Sequence, residues 1–74
     1  MQIINVKIGD LKPYKRNPRK NENAVDAVAA SIKEFGFKIP IVIDSNNEIV
    51  AGHTRLKAAQ KLGLAEVPCI IADD

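Results

Sequence analysis

The sequence predicts a small α/β (α+β) domain: a mixed sheet of about four strands with two main helices packed on it. Three observations predict this. Apolar residues recur three and four apart over 23–35 and again over 55–62, the period of a helix with one buried side. Short runs rich in β-branched residues, at 2–8, 37–43, 48–51 and 68–72, read as strands. The two kinds of segment interleave in the order strand, basic loop, helix, hairpin, helix, strand. That order permits two parallel crossovers, which would be right-handed.

In the first strand, Ile4, Val6 and Ile8 take one side, with Asn5 and Lys7 on the other. Gly9 and Asp10 end it, and Leu11 anchors the turn. Residues 12–23 read as a loop, because Pro13 and Pro18 forbid regular structure across most of it. Lys12, Lys15, Arg16, Arg19 and Lys20 crowd there without an acid between them, and Tyr14 adds an aromatic face. Such a loop either tracks a phosphate backbone or is simply solvated.

Over 23–35, Val25, Val28, Ala29, Ile32 and Phe35 form the apolar stripe of a helix. Asn21 or Asn23 can cap it, Asp26 suits the positive end of its dipole, and Gly36 ends it. Residues 37–43 are almost continuously apolar, as in a strand covered on both sides. Residues 44–48 make a turn with Asn46 and Asn47 at its tip, and 48–51 return antiparallel. Residues 64–67 then lead from the second helix into the last strand.

The hairpin delivers the chain to Val50-Ala51-Gly52-His53-Thr54-Arg55-Leu56-Lys57-Ala58-Ala59-Gln60-Lys61-Leu62-Gly63, the stretch with the most chemistry in it. Gly52 permits a tight turn and close approach of another group. His53 or Thr54 can cap the helix, threonine being the better cap, and Gly63 can close it. A helix start offers free N–H groups and positive potential to an anion. On a wheel at about 100° per residue, Leu56, Ala58, Ala59 and Leu62 fill one arc and Arg55 falls in its middle. A guanidinium in that place requires a partner. The partner is a carboxylate of the chain, strand-end carbonyls, or a phosphate held in bidentate contact. Lys57, one turn after His53, either adds charge to the same mouth or is solvated.

Composition bounds the rest. Seventy-four residues, 46% hydrophobic and 27% charged, make one soluble domain with a modest core. A net charge of +2 is too small to choose a partner. No apolar run approaches the ~18 residues of a membrane span. The single cysteine, Cys69, excludes an internal disulfide, fits a cytoplasmic location, and lies in Val-Pro-Cys-Ile-Ile, where a buried thiol is expected rather than a nucleophile. One histidine and one distant cysteine make no zinc site. Asp44, Glu48, Asp73 and Asp74 are the acids a metal nuclease would draw on, and their spacing defines no site.

Three features, in this order, carry a family resemblance. They are Ser31-Ile32-Lys33-Glu34-Phe35-Gly36 followed by Pro40-Ile41-Val42; Val50 to Arg55 followed by Ala58-Ala59; and Leu62-Gly63-Leu64 with Val67-Pro68. Together with Asn17-Pro18-Arg19 they resemble the ParB/sulfiredoxin-like superfamily, and its ParB N-terminal domain in particular, over nearly all of the chain. The resemblance implies a helix start that holds phosphates. It implies cytidine triphosphate with Mg2+ as the ligand and a switch acting on DNA, as in partition proteins. Gly52, His53, Thr54 and Arg55 would then line the triphosphate, with Gly36, Lys38 and Arg19 nearby. Where partition proteins usually carry Gly-Glu-Arg-Arg, this chain has Gly-His-Thr-Arg, a form more similar to ParB-like domains of phages and mobile elements, often fused to DNA methyltransferases. Sulfiredoxin has its nucleophilic cysteine at the place of His53, which sets sulfinic acid repair aside.

The expectation is a nucleotide- or phosphate-binding module of a DNA-associated ParB-like protein, cut from a longer chain that supplies further domains. DNA contact would run through Lys12, Lys15, Arg16, Arg19 and Lys20. The alternatives are an enzyme on the same fold (an NTPase, a small-molecule kinase or a nuclease) and a module for protein contacts. An enzyme would need an acid such as Glu34 or Glu48 brought to the site.

Overall fold

The computed structural model describes residues 2–13 and 22–72. The elements are β1 (Ile3–Lys7), a 3-10 turn (Ile8–Asp10), α1 (Glu22–Phe35), β2 (Ile41–Ile43), β3 (Ile49–Ala51), α2 (His53–Lys61) and β4 (Glu66–Ile71). The strands form one mixed sheet in the order β1-β4-β2-β3. The expected fold class is the observed one.

The topology departs from two simple crossovers. β4 runs antiparallel to β1 and parallel to β2, while β3 is antiparallel to β2. Neither helix therefore joins two parallel neighbours. The parallel pair, β2 and β4, is linked by the whole stretch of hairpin and α2.

Strand ends also differ from the sequence reading, each for a local reason. β1 stops at Lys7 because the chain winds into the 3-10 turn, where the Leu11 N–H donates to the Ile8 carbonyl at 3.1 Å. Leu11 is buried, as its anchoring role requires. Residues 37–40 are not strand. Pro40 has no N–H for a ladder, so β2 begins after it. β4 begins at Glu66 and contains Pro68, which pairs across β1 with Asn5. β2 joins β4 only from Cys69 onward, so Pro68 lies where β4 has a single neighbour and its missing donor is tolerated.

The hairpin turn is fixed by Asp44. Its Oδ1 accepts the Asn46 N–H at 2.8 Å and the Glu48 N–H at 3.0 Å. Asn47 takes φ 64°, a conformation asparagine tolerates better than most residues. Lys12 ties the start of the basic loop to this hairpin: its N–H donates to Asn47 at 2.8 Å and its carbonyl accepts from Ile49 at 2.9 Å.

Both helices close as their glycines predict. Gly36 (φ 84°) donates to Ile32 at 2.8 Å and ends α1. After α2, Gly63 donates to Gln60 at 3.1 Å and Leu64 to Ala59 at 3.0 Å, the paired bonds of a Schellman ending.

The core has two parts. Ile41, Ile43, Val67 and Cys69 of the sheet meet Leu56 and Ala59 of α2. Val25 and Ala29 of α1 meet Ala58 on another side of α2, with Val28, Ile32 and Leu62 around them. The sequence reading packed both helices on the sheet. In the structure α2 lies on the sheet and α1 packs chiefly on α2.

Gly52 controls how α2 leaves β3. Its φ is 106°, and a Cβ there would meet Ile41 atoms at 3.3 to 3.5 Å. Gly52→Ala is expected to destabilise the domain by about 1–3 kcal/mol, chiefly through left-handed strain. Urea denaturation checks this: the midpoint should fall with an unchanged slope.

Candidate phosphate site at the start of α2

α2 starts without a side-chain cap. Gly52 is the N-cap residue and makes no side-chain bond, and its carbonyl accepts from Leu56 at 3.0 Å. His53 and Thr54, the expected caps, are instead the first two helical residues. The left-handed backbone at Gly52 puts the turn one residue earlier than side-chain propensity suggested. The opening N–H groups of the helix, those of Thr54 and Arg55 among them, have no helical carbonyl to bind. They and the helix dipole give this end positive potential.

α1 and α2 run in opposite senses. Lys61, at the end of α2, pairs with Asp26, near the start of α1. The end of α1 accordingly meets the start of α2. There Val28, Ser31, Ile32, Gly36, Phe37, Lys38, Ile39 and Arg55 line an open cleft of about 140 Å³. Arg55 is half-buried. No carboxylate among the described residues pairs with it, and no acid stands among those lining residues. Of the three partners open to this guanidinium on sequence grounds, an internal carboxylate is thus not found among the described residues.

The structure brings together Gly36, Lys38 and Arg55 from the residues singled out in the sequence. His53 lies elsewhere: with Asp44, Glu48, Ile49 and Val50 it lines a second recess of about 320 Å³ beside the hairpin. Thr54 is half-buried and lines neither. Lys57 lines a third hollow with Val25, Asp26 and Lys61, away from Arg55. Arg19, Lys15, Arg16 and Lys20 lie outside the described residues; Lys12 is exposed next to the hairpin. Ser31, Phe37 and Ile39 are cleft residues that the pattern of charge could not find. The signal for Ser31 was its place inside the Ser31–Gly36 stretch.

A resident metal would need a cluster of ligating side chains. Among the described residues no group of three His, Cys, Asp or Glu side chains is placed to hold one. Asp44 is committed to the turn, where its carboxylate accepts two backbone N–H groups. Of the two acids considered for catalysis, Glu34 is exposed on α1 and Glu48 lines the recess beside the hairpin, and neither is among the residues lining the cleft.

Fold and cleft together define a ParB/sulfiredoxin-like domain. The chain belongs to the ParB N-terminal domain family, which it matches over residues 1–74. It is 38% identical over 72 residues to the ParB-like nuclease domain-containing protein YnaK of Escherichia coli, covering 96% of this chain and 83% of that protein. It resembles the crystal structure of C-terminally truncated chromosome-partitioning protein ParB from Caulobacter crescentus complexed with CTP-gamma-S, at a TM-score of 0.83 and 28% identity. That match covers all of this chain and 46% of the other. Sulfiredoxin from Arabidopsis thaliana shares the fold, with a TM-score of 0.88 at 24% identity over 100% of this chain and 88% of that one. No helix among the described residues is long and apolar enough to cross a membrane.

Cys69 is fully buried on β4, one of the two interior strands. Its Sγ donates to the Val67 carbonyl at 3.6 Å. Burial raises the thiol above its ordinary pKa by penalising the thiolate. The native state therefore keeps this proton at pH values where the unfolded chain has lost it. Stability from this group is intact below the ordinary thiol range and declines as pH rises through and beyond it. Two outcomes are expected: thiol reagents modify Cys69 only at the rate of unfolding, and urea midpoints fall between neutral pH and about pH 10. Replacing Cys69 by alanine should flatten part of that alkaline decline.

Proposed function

We propose that this domain is a nucleotide- and phosphate-binding module of a DNA-associated ParB-like protein. The single observation that carries the reading is Arg55: a half-buried guanidinium that lines an open cleft beside Lys38, with no described carboxylate to neutralise it. A planar five-donor fork beside a helix start suits a bidentate oxyanion, and a phosphate is one such group. Gly36 adds a backbone approach with open space where a side chain would stand. The relative solved with CTP-gamma-S supports a nucleoside triphosphate as the ligand class. Any Mg2+ would arrive with the triphosphate and be held by its oxygens and water, since no described side-chain group is placed to hold the ion.

Binding is favoured over turnover because the cleft has cations and a hydroxyl but no acid among its described lining residues. Phosphoryl transfer and hydrolysis both call for a group that orients or deprotonates the nucleophile. DNA contact through the basic loop, and a setting in partition, modification or mobile-element biology alongside further domains, complete the proposal.

An NMR titration tests it. CTP, ATP, GTP and a short DNA duplex are added in turn, with and without Mg2+. Nucleotide should shift the amides of Gly52–Arg55 and Gly36–Lys38, and no phosphate should be released over hours. Loss of one charge-assisted contact in Arg55→Ala should weaken binding about tenfold or more. Arg55 belongs to neither buried cluster, so this variant should still fold. Titration with no movement at either segment would sink the proposal.

A further inference from the structure

α1 is attached differently from every other element. The sheet core draws on β1 to β4 and α2, but on no residue of α1. What holds α1 is the second, separate cluster, in which only the small side chains Ala29 and Ala58 are buried most deeply beside Val25, with the half-buried Val28, Ile32 and Leu62 around them. Alanines offer few atoms for dispersion contacts. At the far end stands the Asp26–Lys61 ion pair, with side chains 60% and 59% exposed, a pair that solvent screens.

The C-terminal end of α1 is a pivot. Gly36 has φ 84°, and nothing lies within 4 Å of where its Cβ would be. Its one backbone bond runs back into α1, to Ile32. Phe37, the next residue, packs against the sheet core. The chain thus passes in one step from the helix to a fixed point, through a residue that neighbouring packing does not lock.

We infer that α1 is a clamp arm: it opens from α2 as one unit about Gly36 while the sheet and α2 stay folded. Val28, Ser31 and Ile32 of the arm and Arg55 of the base line the same cleft. A molecule that touches both walls binds the closed arm and not the open one, so it shifts the arm toward closure. That last consequence rests on the phosphate reading above; the arm itself does not.

Amide hydrogen exchange by NMR, on the full chain at several urea concentrations below the unfolding transition, tests the arm without ligand. The amides from Val28 to Lys33 should exchange at one common rate, about tenfold or more faster than those of β4 and of Leu56–Gln60, and with a smaller urea dependence, as a sub-global opening requires. Lys61→Ala should speed exchange of α1 by about two- to fivefold, the scale of an exposed ion pair, and leave β4 unchanged. If α1 exchanges at the rate and urea dependence of β4, the arm is overturned. Inorganic tripolyphosphate is then added. Slower exchange confined to α1 and the start of α2 supports closure on the ligand. A fast-exchanging α1 that tripolyphosphate leaves untouched keeps the arm and overturns the phosphate reading.

Discussion

Two adjacent alanines carry the architecture. Ala58 and Ala59 are both fully buried, one toward α1 and the other toward the sheet. α2 is therefore covered from two directions by residues one step apart, and any larger side chain at either position would push a neighbouring layer away. Everything placed at the start of α2 depends on that seating. Gly52 lies against Ile41 because the helix sits this low on the sheet, and Arg55 reaches the end of α1 because the second helix sits this close.

The same seating explains why a cation and an apolar wall coexist in the cleft. Arg55 falls between the two buried directions of α2, not on its solvated side. It is half-buried, and Gly36, where α1 ends with a left-handed turn, lines the same cleft. In such a partly covered place a guanidinium gains more from an anion than it would in open water.

Much of the fold was legible in the sequence, and the reasons are particular. The stripe of Val25, Val28, Ala29, Ile32 and Phe35 and the glycines at 36 and 63 located both helices within a residue or so, because periodicity and left-handed ends are local properties, although Phe35, at the last position before the helix closes, is exposed and not part of the buried side. What the stripe could not say is what it faces. An apolar side meets a sheet or another helix equally well, and α1 meets α2. Strand ends slipped where proline and the 3-10 turn intervened. Within the site, Arg55 and Lys38 meet, whereas His53 lines another recess. The wheel over 55–62 did not include His53, but the helical period accounts for the separation, since residues two apart on a helix point roughly 200° from each other. Ser31 and Ile39 were not readable as neighbours of Arg55, since only the antiparallel seating of the helices brings them there.

The sheet order has a consequence for how the chain reaches its native state. β4, the latest of the four strands in chain order, lies between β1 and β2, and among the described residues β1 has no other strand beside it. During synthesis the opening strand must wait, unpaired, until residues 66–71 emerge from the ribosome. Assembly is governed by this long-range closure, a slow class of event compared with the winding of either helix.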